Sequence, residues 1–208
     1  MNKSTDTFRY LALGDSYTIG EAVTASENFP AQLVQAISHA DRWKNPEFRI
    51  IATTGWTTDE LLNAIEKENP DNGFQLVSLL IGVNNQYRGY PRDQYSREFR
   101  QLLEKAIHFA GGNAGRVFVV SIPDYGCTPF GADKADEIYA DLIWYNGEAQ
   151  KIASEYSVRF CDAFDISRRA ASEPALTAPD QLHPSGEMYR RWVERMLPVA
   201  LACLEAEE

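Results

Sequence analysis

The chain has 208 residues, 44% of them hydrophobic and 24% charged, with a formal net charge of −10. This length suits one domain, spanning residues 1–208, with a real buried core, and the composition excludes a disordered or fibrous chain. A surface this acidic repels phosphate backbones and anionic bilayers, so neither nucleic acid nor a membrane is an expected partner.

Met1–Tyr10 is polar and lacks the apolar core of a signal peptide, and no apolar run reaches membrane-spanning length, so a cytoplasmic location is expected. Short apolar, β-rich runs follow at Tyr10–Leu13, Arg49–Ala52, Leu76–Ile81, Val117–Ile122 and Val158–Cys161. Amphipathic stretches lie between and after them. Phe29, Leu33, Ile37 and Ala40 share one helical face. A second helix starts at Thr57, where Thr57 and Glu60 have capping-box spacing and Leu61, Leu62 and Ile65 face inward. A third runs from about Pro91 to Ala110 on a stripe of Phe99, Leu102, Leu103, Ala106 and Ile107, and stops at Gly111–Gly112. A fourth covers about Asp133–Tyr156, with Ile138, Leu142, Tyr145, Ala149 and Ile152 on its apolar face. The last spans Pro184 to about Leu204, with Pro184 suited to a first helical turn. Alternation of this kind predicts a three-layer α/β/α sandwich with a five-stranded parallel sheet, flavodoxin-like in plan. Pro123–Ala132 and Ala163–His183 are the longest irregular stretches, and loops that long in a compact α/β domain are more often functional than idle.

A parallel sheet brings all strand C-termini to one edge, where ligands bind. Gly14-Asp15-Ser16-Tyr17 follows the first strand, Thr53-Thr54-Gly55-Trp56 the second and Gly82-Val83-Asn84-Asn85 the third. Asp180-Gln181-Leu182-His183-Pro184 closes the loop after the fifth. Taken singly, each has a bland reading. Ser16 suits a helix N-cap, Gly55 a turn, Asn84 and Asn85 a turn or cap, and Asp180 with His183 a loop salt bridge. Taken together they suit acyl transfer. A serine hydroxyl needs a base within reach. His39 and His108 fall on helices, which leaves His183 as that base. Asp180 can orient its imidazole, although Asp162 and Asp165 also follow the fifth strand. Backbone N–H groups at Ser16 and Gly55 and the Asn84 amide can serve as oxyanion donors. Asp15 is expected to be structural, pointing away from the site.

These blocks, in this order from position 14 to 184, resemble those of the SGNH (GDSL-type) hydrolases. The first and last are specific, and the lone glycine of the second is weak. The resemblance implies Ser16, Asp180 and His183 as catalytic triad and Ser16, Gly55 and Asn84 as oxyanion hole. It implies ester hydrolysis through an acyl-enzyme, with no metal or other cofactor. Tyr17 stands where the family often has leucine, and Asn85 where it often has aspartate; both changes touch the expected pocket wall.

Tyr17, Trp56, Asn85 and Tyr87 stand as candidate substrate contacts, with Tyr90, Tyr125 and Phe130 on nearby loops. Aromatic faces there can pack an acyl chain or stack on a sugar. The expected substrates are small or short-acyl esters, acetylated sugars among them, with lysophospholipase or thioesterase activity as alternatives. Arg88 reads as a solvated surface arginine or as a contact for an anionic leaving group. A rival of another class is a flavodoxin-like flavin or phosphate binder built on the hydroxyl-rich loop Ser16–Gly20, which lacks a P-loop lysine and a GxGxxG motif and leaves Asn84 and the Asp180–His183 pair without a role. A third possibility is a ligand-binding relative without catalysis. The cysteines, Cys127, Cys161 and Cys203, are odd in number and widely spaced, and are read as idle thiols.

Overall fold

The computed structural model describes residues 8–39 and 46–206. Ala40, expected on the first long helix, and Met1–Thr7 of the polar leader lie outside the described residues. In chain order the elements are β1 (Arg9–Gly14), α1 (Ser16–Ile19), α2 (Phe29–His39), β2 (Glu47–Ala52), α3 (Thr58–Glu68), β3 (Leu76–Leu80) and α4 (Val83–Tyr87). There follow α5 (Arg92–Phe109), β4 (Val117–Val120), α6 (Ala135–Glu155), β5 (Arg159–Cys161), α7 (Phe164–Ser167) and α8 (Gly186–Leu204). All strand pairs are parallel and the sheet order is β2-β1-β3-β4-β5. The α/β sandwich expected from the sequence is the fold observed.

The apolar runs become strands because both faces of the sheet are covered. Leu11, Ala12, Leu13, Leu76, Val77, Val117 and Phe118 are all fully buried, which suits unbroken apolar strands rather than alternating ones. Helices α2 and α8 pack together, and α3, α5 and α6 pack in succession against one another. The stripes on α2, α5 and α6 point inward as patterned, and Tyr95 and Phe109 extend that of α5. Glu60 accepts the Thr57 N–H at 2.9 Å, the half of a capping box that satisfies the helix entry. Helix α8 starts later than expected. Pro184 precedes it, and the Ser185 hydroxyl accepts the Met188 N–H as the true N-cap. The two long loops are also less irregular than expected: each contains short 3-10 turns, and the second carries α7.

Strand order and register together position the site. β1 sits between β2 and β3, with Gly14 level with Ala52 on one side and Leu80 on the other. Three chain segments therefore leave the sheet side by side at one height. The chain reverses its direction of travel across the sheet at β1, and the crevice at such a switch point is where open α/β sheets bind ligands. Gly14 is part of this arrangement because a Cβ there would run into the Leu80 carbonyl oxygen and the Thr18 side chain. Gly14→Ala is therefore expected to lower stability by about 1–3 kcal/mol, the usual cost of overpacking. In thermal unfolding that is a fall in Tm of roughly 2–4 °C per kcal/mol. A variant that melts with the wild type would show that the β1–β3 junction has slack.

Candidate active site

Ser16 is the first residue of α1, and Asp15 is the N-cap whose carboxylate accepts the Tyr17 N–H at 3.0 Å. The hydroxyl thus stands at the β1 end on a tight turn, and the Ser16 N–H is one of the donors that a helix leaves without an internal partner. The Ser16 Oγ lies 3.0 Å from Nε2 of His183, across 167 residues of sequence. On the far side of the ring, Nδ1 is 2.6 Å from Oδ2 of Asp180. The other Asp180 oxygen accepts the N–H groups of Leu182 and His183, each at 3.0 Å. One carboxylate therefore shapes the turn and holds the ring that the turn presents. Burial pushes the Asp180 carboxyl up, but the imidazole and the two N–H donors outweigh it and hold it below the ordinary carboxylate value. An imidazole so held can take a proton from Ser16 with a charged partner behind it.

The loop carrying this pair is built locally. Ala178 donates its N–H to the His183 carbonyl at 2.8 Å, and Ser185 donates to Leu176 at 2.9 Å. Gln181 takes a left-handed conformation at the tip, φ 65°, and its carbonyl accepts the Phe130 N–H at 3.1 Å. Asp162 and Asp165 are occupied elsewhere: Asp162 accepts the Phe164 N–H and Asp165 pairs with Arg195. His39 bonds the Gln35 carbonyl on α2, and His108 lies edge-on to Phe109 on α5.

Asn84, the second residue of α4, donates from Nδ2 to the Trp56 carbonyl at 3.0 Å. An amide nitrogen carries two hydrogens, so one remains for a ligand in an orientation set by the first. Gly55 lies on the adjoining turn with φ 85°, a conformation that favours glycine.

Ser16, Tyr17, Val83, Asn84, Tyr87, Tyr125, Phe130, Leu182 and His183 surround a cavity of about 150 Å³. Of the candidate contacts, Tyr17 and Tyr87 line it, and Tyr17 stands edge-on to the His183 ring at 5.6 Å. Trp56, Asn85 and Gly55 do not line it. Asn85 is fully buried, and its amide both accepts the Thr58 N–H at 3.0 Å and donates to the Thr58 hydroxyl at 2.7 Å. It ties α3 to α4 and has no face toward the cavity, which corrects its reading as a substrate contact. Trp56 contributes its carbonyl to the site rather than its ring. Sequence reasoning missed Val83 and Leu182; Leu182 had a signal, being an apolar residue between two polar ones in a functional loop. Tyr125 and Phe130 were legible only as loop aromatics, and the Tyr125 hydroxyl anchors its loop to Gln86 of α4 at 2.8 Å. In the rival phosphate cradle the Tyr17 N–H is bound to Asp15 and the Ser16 hydroxyl faces His183, so neither is free for a phosphate.

Asp15 is fully buried away from the cavity, as expected of a structural residue. Its Oδ2 has no partner among the described residues. Burial pushes its carboxyl up to about 7 against the pull of the Tyr17 N–H. In an unfolded chain the group titrates near about 3.9, so folding favours the protonated form. That contribution is full below about pH 4 and is lost as pH rises through about 7. Asp15→Asn keeps an acceptor for Tyr17 and cannot ionise. The variant should gain stability relative to wild type on going from about pH 5 to about pH 8, as read by urea unfolding. A difference that does not change with pH would refute this titration.

The chain matches the model of the GDSL-like lipase/acylhydrolase family over residues 12–191. No curated protein matches it. Among solved structures it is similar to a lipolytic protein of the G-D-S-L family from Veillonella parvula DSM 2008, at 17% identity and a TM-score of 0.71, covering 93% of this chain and 98% of that one. It is also similar to Axe2, an acetylxylan esterase from Geobacillus stearothermophilus, at 19% identity and TM-score 0.67, covering 99% and 98%. A third likeness is to the psychrotrophic esterase EstA from Pseudoalteromonas sp., at 17% identity and TM-score 0.68, covering 95% and 99%. At these identities the structural likeness speaks for the fold, and the family match, which contains both ends of the Ser16–His183 contact, speaks for descent and chemistry. The chain belongs to the GDSL-like lipase/acylhydrolase family, the SGNH hydrolases, and is a carboxylic ester hydrolase.

Proposed function

We propose that this enzyme hydrolyses short-acyl esters through an acyl-enzyme on Ser16, with His183 as general base and then general acid, and Asp180 as the group that orients and charges the imidazole. The observation that carries the reading is the unbroken chain from Asp180 Oδ2 through the His183 ring to Ser16 Oγ, at 2.6 and 3.0 Å. As Ser16 attacks the ester carbonyl, its proton passes to Nε2 and a tetrahedral oxyanion forms. The Ser16 and Gly55 N–H groups and the free hydrogen of the Asn84 amide serve as its donors. The imidazolium then gives the proton to the departing alcohol, and water repeats the sequence to release the acid.

The size of the cavity beside Ser16 supports a short acyl group. A cavity of about 150 Å³ is well below the roughly 300–1,000 Å³ of sites that enclose drug-sized ligands. Its rim of Tyr87, Tyr125 and Phe130 is aromatic, with ring centroids 6.3–6.5 Å apart, and supplies apolar contact to an acyl chain of a few carbons. The substrate is a small molecule, and among the described residues no helix is long and apolar enough to cross a membrane.

Ser16→Ala should abolish hydrolysis and covalent labelling by a serine-directed phosphonate while the circular dichroism spectrum is kept. On a series of esters of one alcohol, kcat/KM should peak at two to four acyl carbons and fall steeply by eight; a rise toward long chains would favour lysophospholipase or thioesterase activity instead. Labelling that persists in the variant would move the nucleophile elsewhere.

Asp180→Asn should lower kcat by up to about 10⁴-fold, because an amide permits the wrong imidazole tautomer and offers it no charge. Asp165→Asn should leave kcat within about twofold, since it loses only an exposed ion pair with Arg195. Steady-state kinetics on both variants decides the third member of the triad, and the opposite ranking would assign it to Asp165.

A further inference from the structure

The turn after β2 that carries Gly55 is gripped from outside by the segment around α4. Trp56 donates its N–H to the Thr53 carbonyl at 3.2 Å and closes the turn, but that bond leaves the Gly55 and Trp56 carbonyls free to be held by other groups. The Trp56 carbonyl accepts from Asn84 at 3.0 Å, and Thr58 is bonded twice by Asn85. The Gly55 carbonyl accepts from Nη2 of Arg88 at 2.6 Å. The other Arg88 nitrogen reaches Glu60 at 3.3 Å, and Glu60 in turn accepts the Thr57 N–H. Arg88 thus spans both sides of the turn, from the Gly55 peptide to the carboxylate that caps α3.

A glycine at φ 85° has no side chain to bias its backbone, so the turn depends on outside contacts to keep its place and shape. The Gly55 carbonyl belongs to the peptide shared with Trp56, so holding it limits ψ of Gly55 and tethers the whole turn, with the Gly55 N–H on its preceding peptide, to the segment after α4. The guanidinium does this with a charged donor in a fixed planar fork, the kind of bond that combines strength with direction. As an ion pair alone, Arg88 with Glu60 is half-exposed and worth little. Its bond to Gly55 is short and aimed at a backbone atom beside the proposed oxyanion site.

We infer that Arg88 is a positioning residue that holds the turn carrying Gly55 in the place the oxyanion hole requires. The inference rests on the reading of Gly55 and Asn84 as oxyanion donors. Arg88 and Asn84, four residues apart on one short segment, would then set both donors that lie outside the nucleophile's own turn. Oxyanion stabilisation depends on donors that are already in place, so loosening one is felt in the transition state and not in substrate binding.

The test uses Arg88→Met and Arg88→Lys with two acetate esters, one neutral (phenyl acetate) and one anionic (a carboxyphenyl acetate), and with a phosphonate probe whose adduct mimics the tetrahedral state. For Arg88→Met we expect kcat on both esters to fall about tenfold to a hundredfold, less than for deletion of a donor. KM should stay within about twofold, phosphonate labelling should slow in proportion to kcat, and Tm should be unchanged. Arg88→Lys, which retains one charged donor, should recover part of the loss. Wild-type kcat in Arg88→Met would overturn the inference. So would a rise in KM confined to the anionic ester, which would make Arg88 a leaving-group contact. A joint fall in Tm and kcat that Arg88→Lys does not relieve would also overturn it, by assigning Arg88 to stability alone. Failure of the wild-type enzyme to react with the phosphonate would instead sink the underlying reading of the site.

Discussion

Parallel pairing of β1 with β2 on one side and β3 on the other is the constraint from which the active site follows. Gly14 aligns with Ala52 and with Leu80, so the chain leaves the sheet at three adjacent points of equal height. Ser16, Gly55 and Asn84 stand two to four residues beyond those points. Short tethers to a rigid sheet leave few conformations, which is how Ser16 and Asn84, distant in sequence, come to line one cavity, with the Gly55 turn adjoining through Trp56. The tightness at Gly14 belongs to the same design: a side chain there would separate the strands whose closeness sets the site.

Ser16 and His183 are delivered by different means. Ser16 rides on the sheet through α1, while His183 comes from a loop of about twenty residues after β5. Loops of that length are ordinarily mobile. This one is ordered by its own backbone bonds and by α8, whose N-cap Ser185 follows His183 closely. Asp180 adds two bonds to the turn and one to the ring, so one carboxylate shapes the turn and orients the imidazole. Loss of that carboxylate would disturb geometry and electrostatics together.

Buried polar groups around Ser16 follow a second logic. Asp15, its neighbour in the chain, has one oxygen bonded and the other without a partner among the described residues, and burial favours its neutral form. A permanent negative charge so close to Ser16 would oppose the oxyanion of the proposed mechanism. The cavity lining is mostly apolar, with Ser16, Asn84 and His183 among its few polar side chains. Low polarity around a few aimed donors strengthens each of them.

The amino-acid sequence by itself determined the strands, the long helices and the family. Periodicity is a local property: strand runs such as Leu76–Leu80 and stripes such as Phe99–Ala106 bury the same way in any packing that covers them. The Ser16 and Asp180–His183 blocks were legible as motifs of the family because they combine particular residue types at short spacing. Tertiary structure decided everything that depends on direction. Asn84 and Asn85 are adjacent and chemically alike, yet one faces the cavity and the other is sealed against Thr58, because successive residues on a helical turn point about a quarter-turn apart. Arg88 looked like a solvated arginine, and only the placement of the Gly55 turn beside α4 shows what its guanidinium holds. Trp56 looked like a pocket wall and serves through its carbonyl. Sequence carries residue type and period; which face meets which neighbour is set by packing between segments far apart in the chain.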